Sequence, residues 1–194
     1  SQGAGTSIEH RDNDIFGLPL AATVTGTGDI VLDQANGHLQ LMDGGTADGQ
    51  MRIGSDHQID LIAGQTVSVA GATTLMVTGN GQPLTLNGSL FTDSLTLSAE
   101  GAITQGASGL LARRAAGGGA DLTSELPLTV TATGTGHAIS LSADNGPLQV
   151  LGATTDDGSI TLRARRLTIA GAVTAEAGGA ARSDVTLTST VGGV

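Results

Sequence analysis

Short segments in which hydrophobic and polar residues alternate recur along the whole chain. Examples are His38–Leu41, Thr66–Val69 and Ser94–Leu97, each with an aliphatic side chain at every second position. Alternation with a period of two is typical of a β-strand with one buried face. The gaps are rich in Gly, Asn and Asp, which tolerate the backbone angles of tight corners. The pattern therefore predicts an all-β protein built from short strands.

A longer period distinguishes a solenoid from other all-β folds. Ile139 and Ile160 hold equivalent positions in the similar segments AISLSADNGPLQVLGA and SITLRARRLTIAGA, 21 residues apart, and Val150 and Ile169 follow at a separation of 19. Both separations match one coil of a parallel β-helix, about 20 residues. The sequence thus predicts a right-handed parallel β-helix, with an antiparallel β-sandwich as the alternative.

In this solenoid the alternate side chains of each coil point inward and stack on those of the next coil. Ser140, Thr161 and Arg163 are expected to face outward. The expected inward positions are Ile139, Leu141, Val150, Ile160, Leu162, Leu167 and Ile169.

Two stretches lack the recurring alternating segments, and they set the predicted domain boundaries. Residues 1–22 are expected to form an irregular capping or linker segment, and residues 23–194 the β-helix. The β-helix is interrupted by an insertion at about 106–127. Two alternatives stay open for this insertion: one or two helical turns from Ser108 to Ala116, with Ser108 as N-cap and Gly117 as stop signal, or a flexible loop.

Composition favours the solenoid over the sandwich. The 194 residues include 31 Gly, 39% hydrophobic residues and 1% aromatic residues, with no Trp or Tyr. Aromatic side chains are the largest units of buried area in ordinary cores, so this core must be assembled from many aliphatic side chains. A long, narrow interior suits such a core better than the interior of a sandwich.

Charge and apolar content exclude several classes of partner. A net charge of -10, from 18 acidic and 8 basic residues, makes a nucleic-acid partner improbable. No apolar run approaches the roughly 20 residues of a membrane span, so the chain is not expected to cross a membrane. The absence of Cys excludes disulfides and thiolate metal sites.

Several segments resemble the repeats of filamentous-haemagglutinin-type bacterial adhesins. They are Gly28–Leu32, Leu97–Gln105, Ile139–Gly146 and Gly158–Ala164, and the resemblance covers about residues 24–192. These adhesins are large exoproteins with a right-handed β-helix. The resemblance implies an extracellular location at the bacterial cell surface and a role in attachment or aggregation.

Parallel β-helices also carry polysaccharide-degrading enzymes, and some charged residues of this chain are candidates for that chemistry. A hydrolase or lyase needs acids and bases placed around a glycosidic bond. Asp157 lies in an Asp-Asp-Gly segment, and Arg163, Arg165 and Arg166 form the densest basic cluster. Asp before Gly is ordinary turn chemistry, and the cluster is expected to form solvated pairs with Asp156, Asp157 and Glu176. We therefore expect no enzyme, and keep Arg163, Arg165 and Asp157 as possible contacts to a glycan.

A calcium site is a further hypothesis. Asp12 and Asp14 place carboxylates at alternate positions, as in calcium loops, but the Gly and distal Glu of an EF-hand are absent. No other metal and no cofactor is expected, since the four His residues do not fall at ligand spacing.

The sequence therefore predicts a structural or adhesive module of a large secreted or surface-displayed bacterial protein. Its expected partners are host or matrix glycans and proteins, or other copies of itself, in attachment, aggregation, fibre or matrix formation. The alternatives are a polysaccharide-degrading enzyme on the same scaffold and a calcium-stabilised surface-layer module.

Overall fold

The computed structural model describes residues 17–35, 37–176 and 183–191. These residues form twenty strands and no helix. The strands wind into a β-solenoid of about seven turns, with successive coils about 22 residues apart. The predicted all-β solenoid is confirmed, and its coils are slightly longer than the expected 20 residues.

Each coil contributes strands to up to three ladders of hydrogen-bonded strands. The first ladder contains β1 (Leu18–Leu20), β4 (Leu39–Leu41), β7 (Ile59–Leu61), β10 (Leu84–Leu86), β13 (Ile103–Gln105), the start of β17 (Ile139–Asp157), the start of β18 (Ile160–Ile169), and β20 (Val185–Ser189). The second contains β2 (Thr23–Val24), β5 (Gly44–Thr46), β8 (Thr66–Val69), β11 (Ser89–Thr92), β14 (Leu110–Arg114) and β15 (Ala120–Asp121). The third contains β3 (Ile30–Gln34), β6 (Met51–Ser55), β9 (Ala72–Val77), β12 (Ser94–Ala99), β16 (Leu126–Thr135), the end of β17, and β19 (Val173–Ala175).

The strand pairing is parallel throughout the described ladders, apart from the short antiparallel pair β14–β15. The β-sandwich alternative is therefore wrong. Parallel neighbours come from successive coils, so the hydrogen bonds between coils satisfy most of the backbone of each strand.

Aliphatic side chains from successive coils form columns inside the solenoid. Ile139 pairs with Ile160 and Val150 with Ile169, as the sequence period predicts. One column of the first ladder is at most 1% exposed over six successive coils and consists of Leu39, Ile59, Leu84, Ile103, Ile139 and Ile160. Burial of such side chains is the main source of stability in a core without aromatics.

Ile169 departs from the predicted inward set because it is 37% exposed. Val150, its partner in the preceding coil, is fully buried. Strand β20 covers the start of β18 but does not reach Ile169. Within the described chain no strand pairs with the other side of Ile169, which explains its exposure.

The ends of the predicted β-helix and its insertion differ from the sequence-based boundaries. Leu18–Leu20 lies within the segment 1–22, yet it pairs in parallel with Leu39–Leu41 and so belongs to the solenoid.

The helix predicted from Ser108 to Ala116 is wrong, because Leu110–Arg114 is a strand. Leu111 stacks on Leu90 of the preceding coil in the core, and this tertiary pairing overrides the helix propensity of the segment.

The irregular part of the insertion is a side loop, residues 115–125, that folds back against the second ladder. Strand Ala120–Asp121 within it pairs antiparallel with the end of β14. The Ser68 hydroxyl, two coils away, donates a hydrogen bond to the Gly118 carbonyl at 2.6 Å and accepts one from Arg114 Nε at 3.0 Å. The side loop is therefore attached to the outer surface of the solenoid.

Candidate binding surfaces

The predicted glycan-contact residues lie on two successive strands, β17 and β18. Arg163 and Arg165 are exposed, but Asp157 precedes strand β18, whereas Arg163 lies near the end of the segment that pairs with Ile139–Ala143. About three residues of extended strand, roughly 10 Å, separate Ile160 from Arg163. Arg163 and Arg165 therefore lie on the same strand, whereas Asp157 is the last residue of the preceding strand.

The ion pairs of the basic cluster also differ from those expected. Arg163 Nε lies 2.6 Å from Asp144 Oδ1, and Arg166 Nη2 lies 3.3 Å from Glu125 Oε1. Asp156 instead accepts a hydrogen bond from the Gly134 amide at 3.1 Å. These partners lie in neighbouring coils and in the side loop, so separation along the sequence could not identify them.

A groove of about 370 Å³ lies between the side loop and the C-terminal coils. Its wall combines two guanidinium groups, one hydroxyl and three apolar side chains. The lining residues are Leu122, Thr123, Pro147, Arg165, Arg166 and Val191. We call this cavity the basic groove. Sequence reasoning identified its two Arg residues but not Leu122, Pro147 or Val191, which join them only when the coils stack.

The two Arg residues of the basic groove have different surroundings. Arg166 is held by Glu125, whose Oε1 also accepts a hydrogen bond from the Thr168 hydroxyl at 2.8 Å. The backbone of Arg165 is fixed, since its carbonyl accepts a hydrogen bond from the Val191 amide at 2.8 Å. Within residues 17–35, 37–176 and 183–191, no carboxylate lies at ion-pair distance from the Arg165 side chain. Among the residues that the structure describes, Arg165 thus has no acidic partner, in contrast to Arg166.

Asp121 organises the part of the side loop that borders the groove. Its Oδ1 accepts hydrogen bonds from the Thr123 amide at 2.8 Å, the Thr123 hydroxyl at 2.6 Å and the Ser124 amide at 3.2 Å. Hydrogen bonds from the Ser124 and Thr123 side chains, followed by those from the two amides, lower the pKa of Asp121 well below its ordinary value. The ionised carboxylate thus holds the turn that places Leu122 and Thr123 in the groove wall.

A second surface consists of hydroxyl side chains stacked in register on the outside of the first ladder. Their strands pair residue by residue, so neighbouring side chains repeat at the strand spacing of about 4.8 Å. This first hydroxyl column contains Thr85, Thr104, Ser140, Thr161 and Thr186. The third ladder carries a second hydroxyl column of Ser98, Thr131, Thr154 and Thr174.

The calcium hypothesis falls on a part of the chain that the structure does not describe. Asp12 and Asp14 lie outside the described residues. Among the residues that are described, no group of three or more His, Asp or Glu side chains is arranged to hold a metal ion.

Comparisons with protein-family models, with curated proteins and with solved structures found no match to this chain. Over the described ranges, the chain contains no helix of the length and hydropathy that a bilayer span requires. The geometry of the two surfaces is therefore the basis for a functional proposal.

Proposed function

We propose that the chain is a structural and adhesive module of a large secreted or surface-displayed bacterial protein. In this role it acts as a rod that holds repeated weak contacts to a matrix, to host glycans or proteins, or to further copies of itself. About seven coils at a strand spacing of about 4.8 Å give a rod of roughly 34 Å.

The observation that supports this role best is the first hydroxyl column. It places one short hydroxyl side chain per coil on the same outer surface over five successive coils. Each hydroxyl offers a donor and an acceptor, and each contact alone is weak. Contacts that repeat on one rigid element bind together through their effective concentration, so avidity replaces individual affinity.

A polysaccharide-degrading activity has less support. Such an enzyme places two carboxylates on either side of the scissile bond, at separations of roughly 5–10 Å. Asp157, the acid singled out from the sequence, ends β17, and Arg163 of β18 is paired with Asp144.

The adhesive proposal is tested with beads that carry the chain, washed under flow over surfaces coated with neutral glucan, hyaluronan or fibronectin. The triple variant T85V/T104V/T161V removes three hydroxyls of the column and keeps side chains of similar shape and high strand propensity. We expect the unvaried chain to be retained on at least one surface and the triple variant to lose most of that retention.

The matched control is T27V/T78V/T135V, which removes three exposed hydroxyls that do not pair with one another in the strand registers. This control should keep the retention of the unvaried chain, and both triple variants should keep its melting temperature within a few degrees. Equal loss in both variants, or no retention of the unvaried chain on any surface, would contradict the proposal.

A further inference from the structure

We propose that the basic groove binds the carboxylate of an acidic saccharide, with the sugar ring against its apolar wall. This inference rests on the adhesive function proposed above and names a ligand class for one site on the rod. It is carried by the position of Arg165, which has no acidic partner among the described residues, by the fixed position of Arg166 and by the shape of the cavity.

The surroundings of Arg165 differ from those of the other described Arg residues. The sequence carries 18 acidic and 8 basic residues, so carboxylates are abundant. Arg52, Arg113, Arg163 and Arg166 each lie within ion-pair distance of an acid. Arg114 has no acidic partner among the described residues either, but its Nε donates a hydrogen bond to the Ser68 hydroxyl. Arg165 has no such partner among the described residues, and it lines the basic groove. A guanidinium that faces a cavity without an acid is available to an anionic ligand.

Arg166 is placed to act with Arg165 on the same ligand. Its Nη2 is held by Glu125 at 3.3 Å, and Glu125 is fixed in turn by Thr168. The guanidinium group has five N–H donors, so an ion pair at one nitrogen leaves others that can donate to a ligand. Planar forks of this kind match the two oxygens of a carboxylate, which favours a carboxylate over a neutral ligand.

The other lining residues of the groove indicate to which kind of molecule the bound carboxylate belongs. Leu122, Pro147 and Val191 form the apolar side of the groove, and Thr123 adds one hydroxyl. A pyranose ring offers a face of C–H groups and a rim of hydroxyls, which match these two kinds of lining. The volume of about 370 Å³ lies at the small end of ligand sites, which range from about 300 to 1,000 Å³. The groove therefore suits one uronate unit of a polysaccharide rather than a long segment.

The test measures binding of a galacturonate trisaccharide to the whole chain by titration calorimetry and saturation-transfer NMR. We expect weak, saturable binding that decreases as the salt concentration rises. Arg165→Gln should weaken it at least about tenfold, because a hydrogen-bonded charge is lost. Leu122→Glu should abolish it, since a carboxylate at the groove wall repels the ligand.

Three controls separate this site from general charge attraction. Arg52→Gln removes an exposed Arg on the third ladder, paired with Asp33, and should bind the trisaccharide like the unvaried chain. The methyl-esterified trisaccharide should bind at least about tenfold more weakly than the free acid. A sulfated galactose trisaccharide of equal charge distinguishes the two anionic sources, and tighter binding of the sulfated form would overturn the carboxylate assignment.

The inference is overturned if Arg165→Gln, in a folded variant with unchanged melting temperature, binds like the unvaried chain, or if Arg52→Gln loses affinity equally. Failure of this site remains distinguishable from failure of the adhesive proposal. The T85V/T104V/T161V variant should keep trisaccharide binding, and Arg165→Gln should keep retention of beads on neutral glucan. Loss of trisaccharide binding alone then contradicts only the groove assignment.

Discussion

At the scale of single residues, a side chain that points into the solenoid contributes to the stability of the core, whereas one that points outward contributes to the surface. Ile103 and Thr104 are neighbours on strand β13, yet Ile103 is fully buried between Leu84 and Ile139 whereas Thr104 belongs to the outer hydroxyl column. Inward side chains touch the coils above and below, so a lost methyl group leaves a cavity that neighbouring coils cannot easily fill.

Ile103→Ala should therefore lower the free energy of unfolding by about 2–5 kcal/mol. The matched substitution Thr104→Ala should cost less than about 1 kcal/mol, because it changes an outward side chain and only the strand propensity is affected. Chemical denaturation followed by circular dichroism measures both. Similar values for the two variants would contradict the assignment of inward and outward positions.

Glycines at corners where coils approach closely form a second residue-scale test. A Cβ atom on Gly158 would collide with the backbone carbonyl of His137, whereas a Cβ on Gly117 would meet no atom within 4 Å. Gly158→Ala should cost about 2 kcal/mol or more, and Gly117→Ala should change stability by less than about 0.5 kcal/mol. Equal melting temperatures for these two variants would show that the corner at Gly158 is looser than the structure indicates.

At the scale of elements, the side loop 115–125 is the feature that distinguishes one coil from the others. The inward positions Ile103 and Ile139 are adjacent in the first ladder although 36 residues separate them, against 21 between Ile139 and Ile160. The extra chain leaves the stack after β14 and returns at β16, so the hydrogen-bond ladders on both sides continue. Insertions that leave from a corner cost little because the core is not interrupted.

The contact of the side loop with Ser68 leads to a prediction about local stability. Ser68→Ala removes the hydrogen bonds to the Gly118 carbonyl and from Arg114. At about 1 kcal/mol for each bond, the amides of Ala115 and Gly118 should exchange with solvent roughly 30-fold faster. The core amide of Ile103 should exchange at an unchanged rate. Ser108→Ala is the control, since Ser108 bonds to Asn87 and not to the side loop.

Asp121 makes the same loop sensitive to acid. Folding lowers the pKa of this carboxyl below its ordinary value of 3.8, so its stabilisation of the turn is present above that pH and is lost as the pH falls below it. The protection of the Thr123 and Ser124 amides should therefore decrease between about pH 5 and pH 2. In Asp121→Asn, protection should be lower at neutral pH and should not vary over this interval. A pH response retained in Asp121→Asn would assign the effect to another group.

At the scale of the whole molecule, stability is expected to accumulate from one coil to the next. Each described coil contacts its neighbours through parallel ladders, as in other repeat proteins whose stability is a sum of unit and interface terms. The solenoid should therefore accept a whole extra coil in register but not a partial one.

Insertion of a second copy of residues 139–159 before Ile160 tests this architecture. The copy should stack in register, keep cooperative unfolding and lengthen the rod by about 4.8 Å in small-angle X-ray scattering. A copy of residues 139–148 alone is the control. It should disrupt the downstream coils, because half a coil displaces their aliphatic columns from the interior. A shorter or disordered particle with the complete copy would contradict the coil assignment.

Much of the fold could be predicted because its determinants are local or periodic in the sequence. Alternation of period two identified the strands, and the 21-residue separation of Ile139 and Ile160 identified one coil, since identical steps along a solenoid repeat the same environment. The outward direction of Arg163 follows from the same alternation. These features need no knowledge of which distant residues meet.

What only the tertiary structure decided is the set of contacts between coils and with the side loop. Leu110–Arg114 became a strand because Leu111 stacks on Leu90, against its local helix propensity. Arg163 pairs with Asp144 because register places the two in adjacent coils. The basic groove joins side chains from the side loop and three later segments, from Leu122 to Val191. Such groups meet only when hydrogen-bond register fixes how the coils stack, and register is a property of the whole solenoid.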